Sequence, residues 1–253
     1  MTSLTIGIIT AACICAGALV GYVLQRVIPS HHLSKDAQDV VKLAVGVIAT
    51  STALVLGLLV SSSKAQFDAM GARLVQFGAN VIMLDTTLAE YGPEAKPARE
   101  ELRQTVEITL QRIWPEERSA GSTLAAIEQG GGIAAMRVTL RALKPMTDEQ
   151  RALLAQAHQI MNVISRSRWE LIEDAQRGLP PILLGVLVFW LALLFLSFGL
   201  FAPRNWIVFL TLIVSACSMA AAIFLVLEMN SPLDGLMKIS SAPLRKALEI
   251  MGR

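Results

Sequence analysis

Four long runs of apolar residues interrupt an otherwise mixed sequence, and they predict four membrane-spanning helices. The runs cover residues 6–24, 43–60, 182–201 and 206–227, and none contains Asp, Glu, Lys or Arg. A helix rises about 1.5 Å per residue, so each run is long enough to cross a hydrocarbon layer about 30 Å thick. The pattern therefore predicts an all-α membrane protein with transmembrane hairpins in residues 1–63 and 179–228.

Residues 64–178, between the second and third runs, have a polar composition. They contain 14 Lys plus Arg and 15 Asp plus Glu, so this segment must lie in water. Apolar residues recur in its first part at steps of three and four, which is the pattern of an amphipathic helix: Phe67, Met70, Leu74, Phe77, Val81, Leu84 and Leu88. We predict a helical extramembrane domain inserted between spans two and three.

The same segment shows signals for further helices. Thr147 is a candidate N-cap for an amphipathic helix over 148–176, and Gly178 is a candidate stop. Shorter helices are predicted over 98–114 and 133–143, and the glycines at 130–132 predict a flexible break.

The closing segment, residues 229–253, is a polar tail interrupted by prolines and a glycine. Its mixture of basic and apolar residues leaves two alternatives: it lies along the membrane interface, or it packs as a short helix on the extramembrane domain.

An even number of spans puts both termini and the domain on one side of the membrane. Basic residues near the span ends are more numerous there, which favours a cytoplasmic location for them.

Composition narrows the classes of function. With 54% hydrophobic residues, 17% charged residues and a net charge of +2, the chain is too apolar for a soluble globule and lacks the basic surface that nucleic acid requires. Cys13, Cys15 and Cys217 lie inside apolar runs, where a thiol behaves as a small hydrophobe. We expect the lipid bilayer as a partner and no nucleic acid.

Signatures of catalysis and of metal binding are missing. The sequence has no nucleophile elbow, no phosphate-binding loop, no zincin motif and no cysteine pair spaced for zinc. His31 and His32 are adjacent and have no converging third ligand, so solvated histidines explain them better than a metal site. We predict no catalytic residue, no bound metal and no cofactor.

The second span carries a stripe of small, polar and basic residues on one helical face, which we call the α2 stripe. Large aliphatic residues, including Ile48, Val55 and Leu59, occupy the opposite side. The stripe consists of Lys42, Gly46, Thr50, Ala53, Gly57, Ser61 and Lys64.

Two interpretations of the α2 stripe are open. Small residues allow helices to pack closely, as Gly17 and Gly21 on the first span also suggest. Alternatively the stripe lines a conduit, in which hydroxyls face the ion and terminal lysines concentrate anions. One helix cannot enclose a pore, so conduction requires several copies around an axis.

Glu228 follows the fourth apolar run and is an ionisable group at the boundary of the hydrocarbon. Such groups are often functional. The simpler explanation is a carboxylate that reaches water or pairs with Lys238 or Arg204.

Several local sequences resemble a family of bacterial multi-pass membrane proteins that is labelled bestrophin-like and is a domain of unknown function. The resemblance covers nearly the full length. It is carried by Leu54-Val-Leu-Gly-Leu-Leu59, Ser63-Lys64, Phe67-Asp68, Tyr91-Gly-Pro-Glu94 with Arg99, Phe198-Gly-Leu-Phe-Ala-Pro-Arg-Asn205, Leu227-Glu228 with Pro232, and Ser240-Ser-Ala-Pro243 with Leu244 and Arg245.

The resemblance implies a bestrophin-like layout. Bestrophins proper are oligomeric anion channels with four spans per subunit, a cytosolic helical region between spans two and three, and a pore lined by span two. The aromatic neck of bestrophins is absent here, since no Phe, Tyr or Trp occurs between Val40 and Ser63.

The leading hypothesis is a homo-oligomeric channel in the bacterial plasma membrane. A pentamer is among the candidate states, small inorganic anions are the permeant ions, and the α2 stripe lines the pore. The alternative is a non-conducting membrane anchor or signalling scaffold whose helical domain binds a cytoplasmic partner.

Overall fold

The protein is helical throughout the ranges that its computed structural model describes, which are residues 3–27, 35–114, 131–176, 179–203, 205–232 and 236–252. No strand occurs in these ranges. The helices are α1 Ser3–Val27, α2 Lys35–Tyr91, α3 Lys96–Ile113, α4 Gly131–Ala142, α5 Asp148–Gln176, α6 Pro181–Phe201, α7 Trp206–Met229 and α8 Ala242–Met251.

The predicted fold class, an all-α protein with four long apolar helices, is confirmed. Helices α1, α2, α6 and α7 each have the length and hydropathy that a membrane span requires. The four apolar runs lie inside these helices, and α6 opens with Pro181 in its first turn, a position that tolerates proline because its N–H has no helical partner.

Helix α2 is 57 residues long, because the predicted amphipathic helix over 64–91 continues the second span without interruption. It ends at Tyr91, and Gly92 follows with φ 122°, a conformation that residues with a Cβ rarely adopt. A short 3₁₀ turn, Pro93–Ala95, then leads into α3.

Helix α5 begins as the sequence predicts. Thr147 Oγ1 accepts a hydrogen bond of 3.1 Å from the backbone N–H of Gln150, which is the geometry of an N-cap. Gln150 Nε2 also donates to the carbonyl oxygen of Tyr91 at 3.2 Å, so one side chain links the start of α5 to the end of α2. Gly178, the predicted stop, lies outside the described residues.

The predicted break at residues 130–132 is wrong for the two glycines that are described. Gly131 and Gly132 form the first turn of α4. A Cβ on Gly132 would lie 2.6 Å from Thr105 Cγ2 on α3, so the missing side chain permits a close approach of two helices. Gly130 lies outside the described residues.

The chain divides into two compact units, and α2 contributes residues to both. The first comprises Met1–Ala65 and Gly178–Asn230, in which α1 packs along α6 and α7. The packing seam that Gly17 and Gly21 suggest is present: a Cβ on Gly17 would lie 2.6 Å from Ala192 O, and one on Gly21 would overlap Leu196 O. Gly199 on α6 meets Ala18 in the same way.

The second unit comprises Gln66–Arg177 and Ser231–Arg253. A bidentate ion pair fixes α3 against α2: Arg99 Nε and Nη2 donate to the Asp85 carboxylate at 2.7 and 2.8 Å. These hydrogen bonds raise the pKa of Arg99 above its ordinary value.

The tail, for which the sequence left two alternatives, belongs to this second unit. Helix α8 packs on α3 and buries Leu244, Ala247 and Met251 in the unit's core. Upstream of α8, the carbonyl oxygen of Ile239 accepts a 2.8 Å hydrogen bond from Trp114 Nε1. The structure thus supports the second alternative, a short helix packed on the helical domain.

Candidate functional site

Helix α2 has one face that packs into the first unit. Leu59 is buried there, and the partly buried side chains that pack with it are Val45, Ile48, Ala49, Val55 and Leu56. Of these, Ile48, Val55, Leu56 and Leu59 are the aliphatic residues that the helical pattern places opposite the α2 stripe. They hold α2 against the rest of the unit and thereby fix which face points outward.

The polar side chains on this packed face are hydrogen-bonded. Thr52 Oγ1 donates to Ile48 O at 2.7 Å. Ser63, which is 1% exposed, accepts a 2.7 Å hydrogen bond from Asn230 Nδ2, which also donates to Val226 O. The α2 face that packs inward therefore needs no water or ion to satisfy these groups.

All seven residues of the α2 stripe are exposed in the single chain. A Cβ added to Gly46 or Gly57 would meet nothing within 4 Å, in contrast to Gly17 and Gly21. The stripe is therefore not a packing seam within the protomer. Only 11% of the most apolar stretch of α2 is buried, compared with 28% for α1, α6 and α7.

An exposed aliphatic ridge runs beside the stripe on the same helix. It consists of Leu43, Val47, Leu54 and Leu58, which are 63–74% exposed. On the other flank, Lys42, Val45, Gly46 and Ala49 line an open groove of about 460 Å³ together with residues of α6 and α7, among them Phe198 and Leu212. The α2 stripe thus lies between an apolar ridge and an apolar groove.

The charges at the two ends of the stripe are balanced, which the sequence reasoning missed. Lys42 Nζ lies 3.6 Å from the Asp39 carboxylate, one turn earlier on α2. Asp68 follows Lys64 by four residues and so shares its helical face. The i,i+3 and i,i+4 spacings were visible in the sequence.

The hydroxyl of Thr50, at the middle of the stripe, donates to Gly46 O at 2.8 Å. Its hydrogen is therefore occupied by the helix backbone, and the oxygen presents lone pairs outward. An anion passing this point would be hydrated by water rather than by the hydroxyl donor.

Glu228 is 5% exposed and lies in the last turn of α7, so the structure does not support the alternative in which its carboxylate reaches water. Glu228 has at least one further hydrogen-bonding or electrostatic interaction in the structure. Of the two proposed partners, Lys238 is exposed and Arg204 lies outside the described residues.

Metal chemistry finds no support in the part of the chain that the structure describes. No group of three or more His, Cys, Asp or Glu is placed there to hold a metal ion. His31 and His32, the histidine pair considered from the sequence, lie outside the described residues.

Comparisons with known proteins agree with this architecture. A family model described as the Bestrophin-like domain matches residues 12–244. The fold matches a crystal structure of a bacterial bestrophin homologue from Klebsiella pneumoniae that carries a point mutation, with a TM-score of 0.63, 14% identity, and coverage of 100% of this chain and 99% of that chain. None of the curated proteins matches.

Proposed function

Because this chain belongs to the bestrophin-like family, we propose that it forms a homo-oligomeric channel for small inorganic anions in the bacterial plasma membrane. The α2 stripe, from Lys42 to Lys64, lines its pore. The observation that carries this proposal is that Gly46, Thr50, Ala53, Gly57 and Ser61 are all exposed on a helix whose opposite face is packed.

The exposed stripe supports assembly as well as conduction. Lipid does not solvate hydroxyl and ammonium groups well, so a stripe that includes Thr50 and Ser61 is more stable when it contacts water than when it contacts hydrocarbon. A cyclic oligomer that places one α2 from each copy around an axis would enclose a water-filled space, and the stripe would face that space. A pentamer is the working hypothesis for the number of copies.

The charge arrangement sets the expected selectivity. Lys42 and Lys64 attract anions to the pore ends, but each shares its face with an acid, Asp39 or Asp68. Attraction between exposed charges is weak and is screened by salt. We therefore expect a preference for anions that is modest at physiological ionic strength.

Chloride flux through the purified protein tests the proposal. Full-length protein is reconstituted into vesicles loaded with a chloride-sensitive dye, and empty vesicles from the same preparation are the control. A protein-dependent flux that scales with the amount of protein is expected. Flux equal to that of empty vesicles would contradict it.

Reversing one charge tests the position of the pore. Lys64→Glu should move the reversal potential in a salt gradient toward the equilibrium potential of the cation, because it places an extra carboxylate on the stripe. Lys144→Glu makes the same change at an exposed position outside the helices and should leave the reversal potential unchanged. Equal effects of the two variants would argue against a pore at the stripe.

The alternative, a non-conducting anchor whose helical domain binds a cytoplasmic partner, makes a different prediction. Thr50→Val, which keeps the side-chain volume and removes the hydroxyl, should then have no functional effect. Added bulk at Gly46 or Gly57 should disturb oligomerisation only. Both the anchor and the channel place the termini and the helical domain in the cytoplasm.

A further inference from the structure

Two cysteines from different helices meet in the first unit. Cys15 lies on α1 and Cys217 lies on α7, and their thiols are hydrogen-bonded to each other. Cys15 is half-buried and packs on the core of the unit, whereas Cys217 is exposed on the surface of the single chain. Both are free thiols. The contact therefore joins one thiol inside the helix packing to one that can be reached from outside it.

The register of α1 against α7 independently places these two positions opposite each other. A Cβ on Gly7 would lie 3.3 Å from Phe224 Cβ, and the ring centroids of Tyr22 and Phe209 are 6.0 Å apart. These two contacts are separated by fifteen residues on each helix, as expected for antiparallel helices that pack along their length. The two cysteines follow Gly7 by eight residues and precede Phe224 by seven. They therefore face each other between two contacts that fix the register.

Both thiols lie at the middle of a membrane span. Cys15 is twelve residues from either end of α1, and Cys217 is eleven and twelve residues from the ends of α7. At about 1.5 Å per residue, about 16–18 Å of helix separates each thiol from either helix end. Half the thickness of the hydrocarbon layer is about 15 Å. A reagent that enters the lipid can reach Cys217, and a reagent confined to water cannot.

The two helices are close enough for a covalent link. A disulfide requires an S–S distance of about 2.0 Å and a Cα–Cα distance of about 4.4–6.8 Å. Small residues at a contact let helices approach closely. Ala216, which precedes Cys217, is fully buried, and Gly7 lies directly against α7. Because the thiols are already hydrogen-bonded, rotation of the two side chains supplies most of the remaining movement.

We propose that Cys15 and Cys217 form a redox site that a lipid-soluble two-electron oxidant, a quinone or a diazene, converts to a disulfide that locks α1 to α7. The two S–H bonds break and one S–S bond forms, so the thiols together lose two electrons and two protons. A quinone takes up both and becomes a hydroquinone, and a diazene becomes a hydrazine. Membrane quinones already act as electron acceptors for protein thiols in bacteria. The site does not depend on conduction.

Counting free thiols after oxidation tests the proposal. Full-length protein in vesicles is treated with diamide, a diazene that crosses membranes, or with oxidised glutathione added outside. The protein is then denatured and labelled with a maleimide polymer that shifts the gel band once per free thiol. Diamide should reduce the labels from three to one, with the loss of two hydrogen atoms in the intact mass, and glutathione should leave three. Three labels after diamide, a disulfide between two copies, or equal oxidation by glutathione would overturn the proposal.

Cysteine variants test the identity of the pair. Cys13→Ser should keep the cross-link and lose only the remaining label, whereas Cys15→Ser should keep both of its labels after diamide. Ser215→Cys combined with Cys217→Ser keeps the thiol at nearly the same depth but turns it to another face of α7. The cross-linked fraction should then fall at least tenfold. Equal cross-linking from position 215, or a cross-link in Cys15→Ser, would overturn the assigned pair.

Thermal unfolding tests whether the disulfide locks the two helices. A link between residues 15 and 217 closes a long loop, which restricts the unfolded chain and stabilises the folded one. Oxidised Cys13→Ser protein should therefore unfold at a higher temperature than the reduced protein, and dithiothreitol should reverse the shift. Diamide should not change the midpoint of Cys15→Ser. A fully cross-linked protein with an unchanged midpoint would contradict the lock.

Discussion

Replacing Gly199 by alanine should destabilise the first unit, while the same change at Gly185 on the same helix should not. A Cβ at position 199 would overlap Ala18 O and lie 3.0 Å from Tyr22 N, and both are backbone atoms of α1. A Cβ at position 185 would meet nothing within 4 Å. The two variants therefore differ in packing and share the change in helix propensity.

The magnitudes follow from these two contributions. Alanine stabilises a helix by about 1 kcal/mol relative to glycine, and this gain applies to both variants. Overpacking costs about 1–3 kcal/mol, and we expect the upper end at Gly199 because a backbone carbonyl cannot rotate away. The net result is a loss of about 2 kcal/mol for Gly199→Ala and a gain of up to about 1 kcal/mol for Gly185→Ala.

Thermal unfolding in detergent measures the difference. A change of 1 kcal/mol moves the midpoint by about 2–4 °C for a chain of this size, so Gly199→Ala should lower it by roughly 4–8 °C. Matched scan rates are needed because unfolding of membrane proteins is often irreversible. Equal shifts in the two variants would refute the close approach of α1 and α6.

Three further predictions concern the ion pair, the helix cap and the pore charges. Arg99→Gln leaves the Asp85 carboxylate, whose side chain is 9% exposed, without its bidentate partner, so unfolding by denaturant should show a loss of about 2–3 kcal/mol. A double variant with Asp85→Asn should recover part of that loss. Thr147→Ala removes the cap of α5 and should cost about 1 kcal/mol in the same assay; an unchanged midpoint would contradict the capping hydrogen bond. Asp39→Asn removes the acid next to Lys42, so the reversal potential of the proposed channel should move toward the equilibrium potential of chloride, and a shift the other way would contradict the proposed pore end.

The sequence predicts the features that are set by residues along a single helix. An uncharged run of about 20 residues is sufficient to indicate a span, because a helix in lipid satisfies its backbone hydrogen bonds within itself. The packed face of α2 follows from the same periodicity: Ile48, Val55 and Leu59 recur on one side and lie in the core of the first unit. The cap at Thr147 is also a local signal.

Features that require several helices at once were not predictable. The core of the second unit encloses an apolar cavity that residues from Leu74 on α2 to Leu244 on α8 line, and no spacing rule brings them together. The sequence predicts a break at Gly131 and Gly132, because it does not distinguish a flexible glycine from one that permits close packing. The outcome at Gly132 depends on Thr105 of another helix.

Asp39 and Asp68 form an intermediate case. Their spacing from Lys42 and Lys64, three and four residues, places them on the same helical face and is present in the sequence, but a stripe defined by its small, polar and basic residues does not include them. With both acids included, the expected preference of the proposed pore for anions is modest. The positions of charges of both signs should therefore be compared on any face that is proposed to line a pore.

The accessibility of engineered cysteines along α2 tests the central claim most directly. In a protein whose cysteines at 13, 15 and 217 are replaced, single cysteines are placed on the α2 stripe at Thr50 or Ala53, and on the aliphatic ridge at Val47 or Leu58. Reconstituted protein is treated with a charged thiol reagent that does not cross membranes, and chloride flux is recorded. The proposal predicts that the reagent modifies the stripe cysteines and blocks flux, and that the ridge cysteines do not react. Flux that continues with unmodified stripe cysteines, or equal reaction at both sets, would contradict a pore lined by this face.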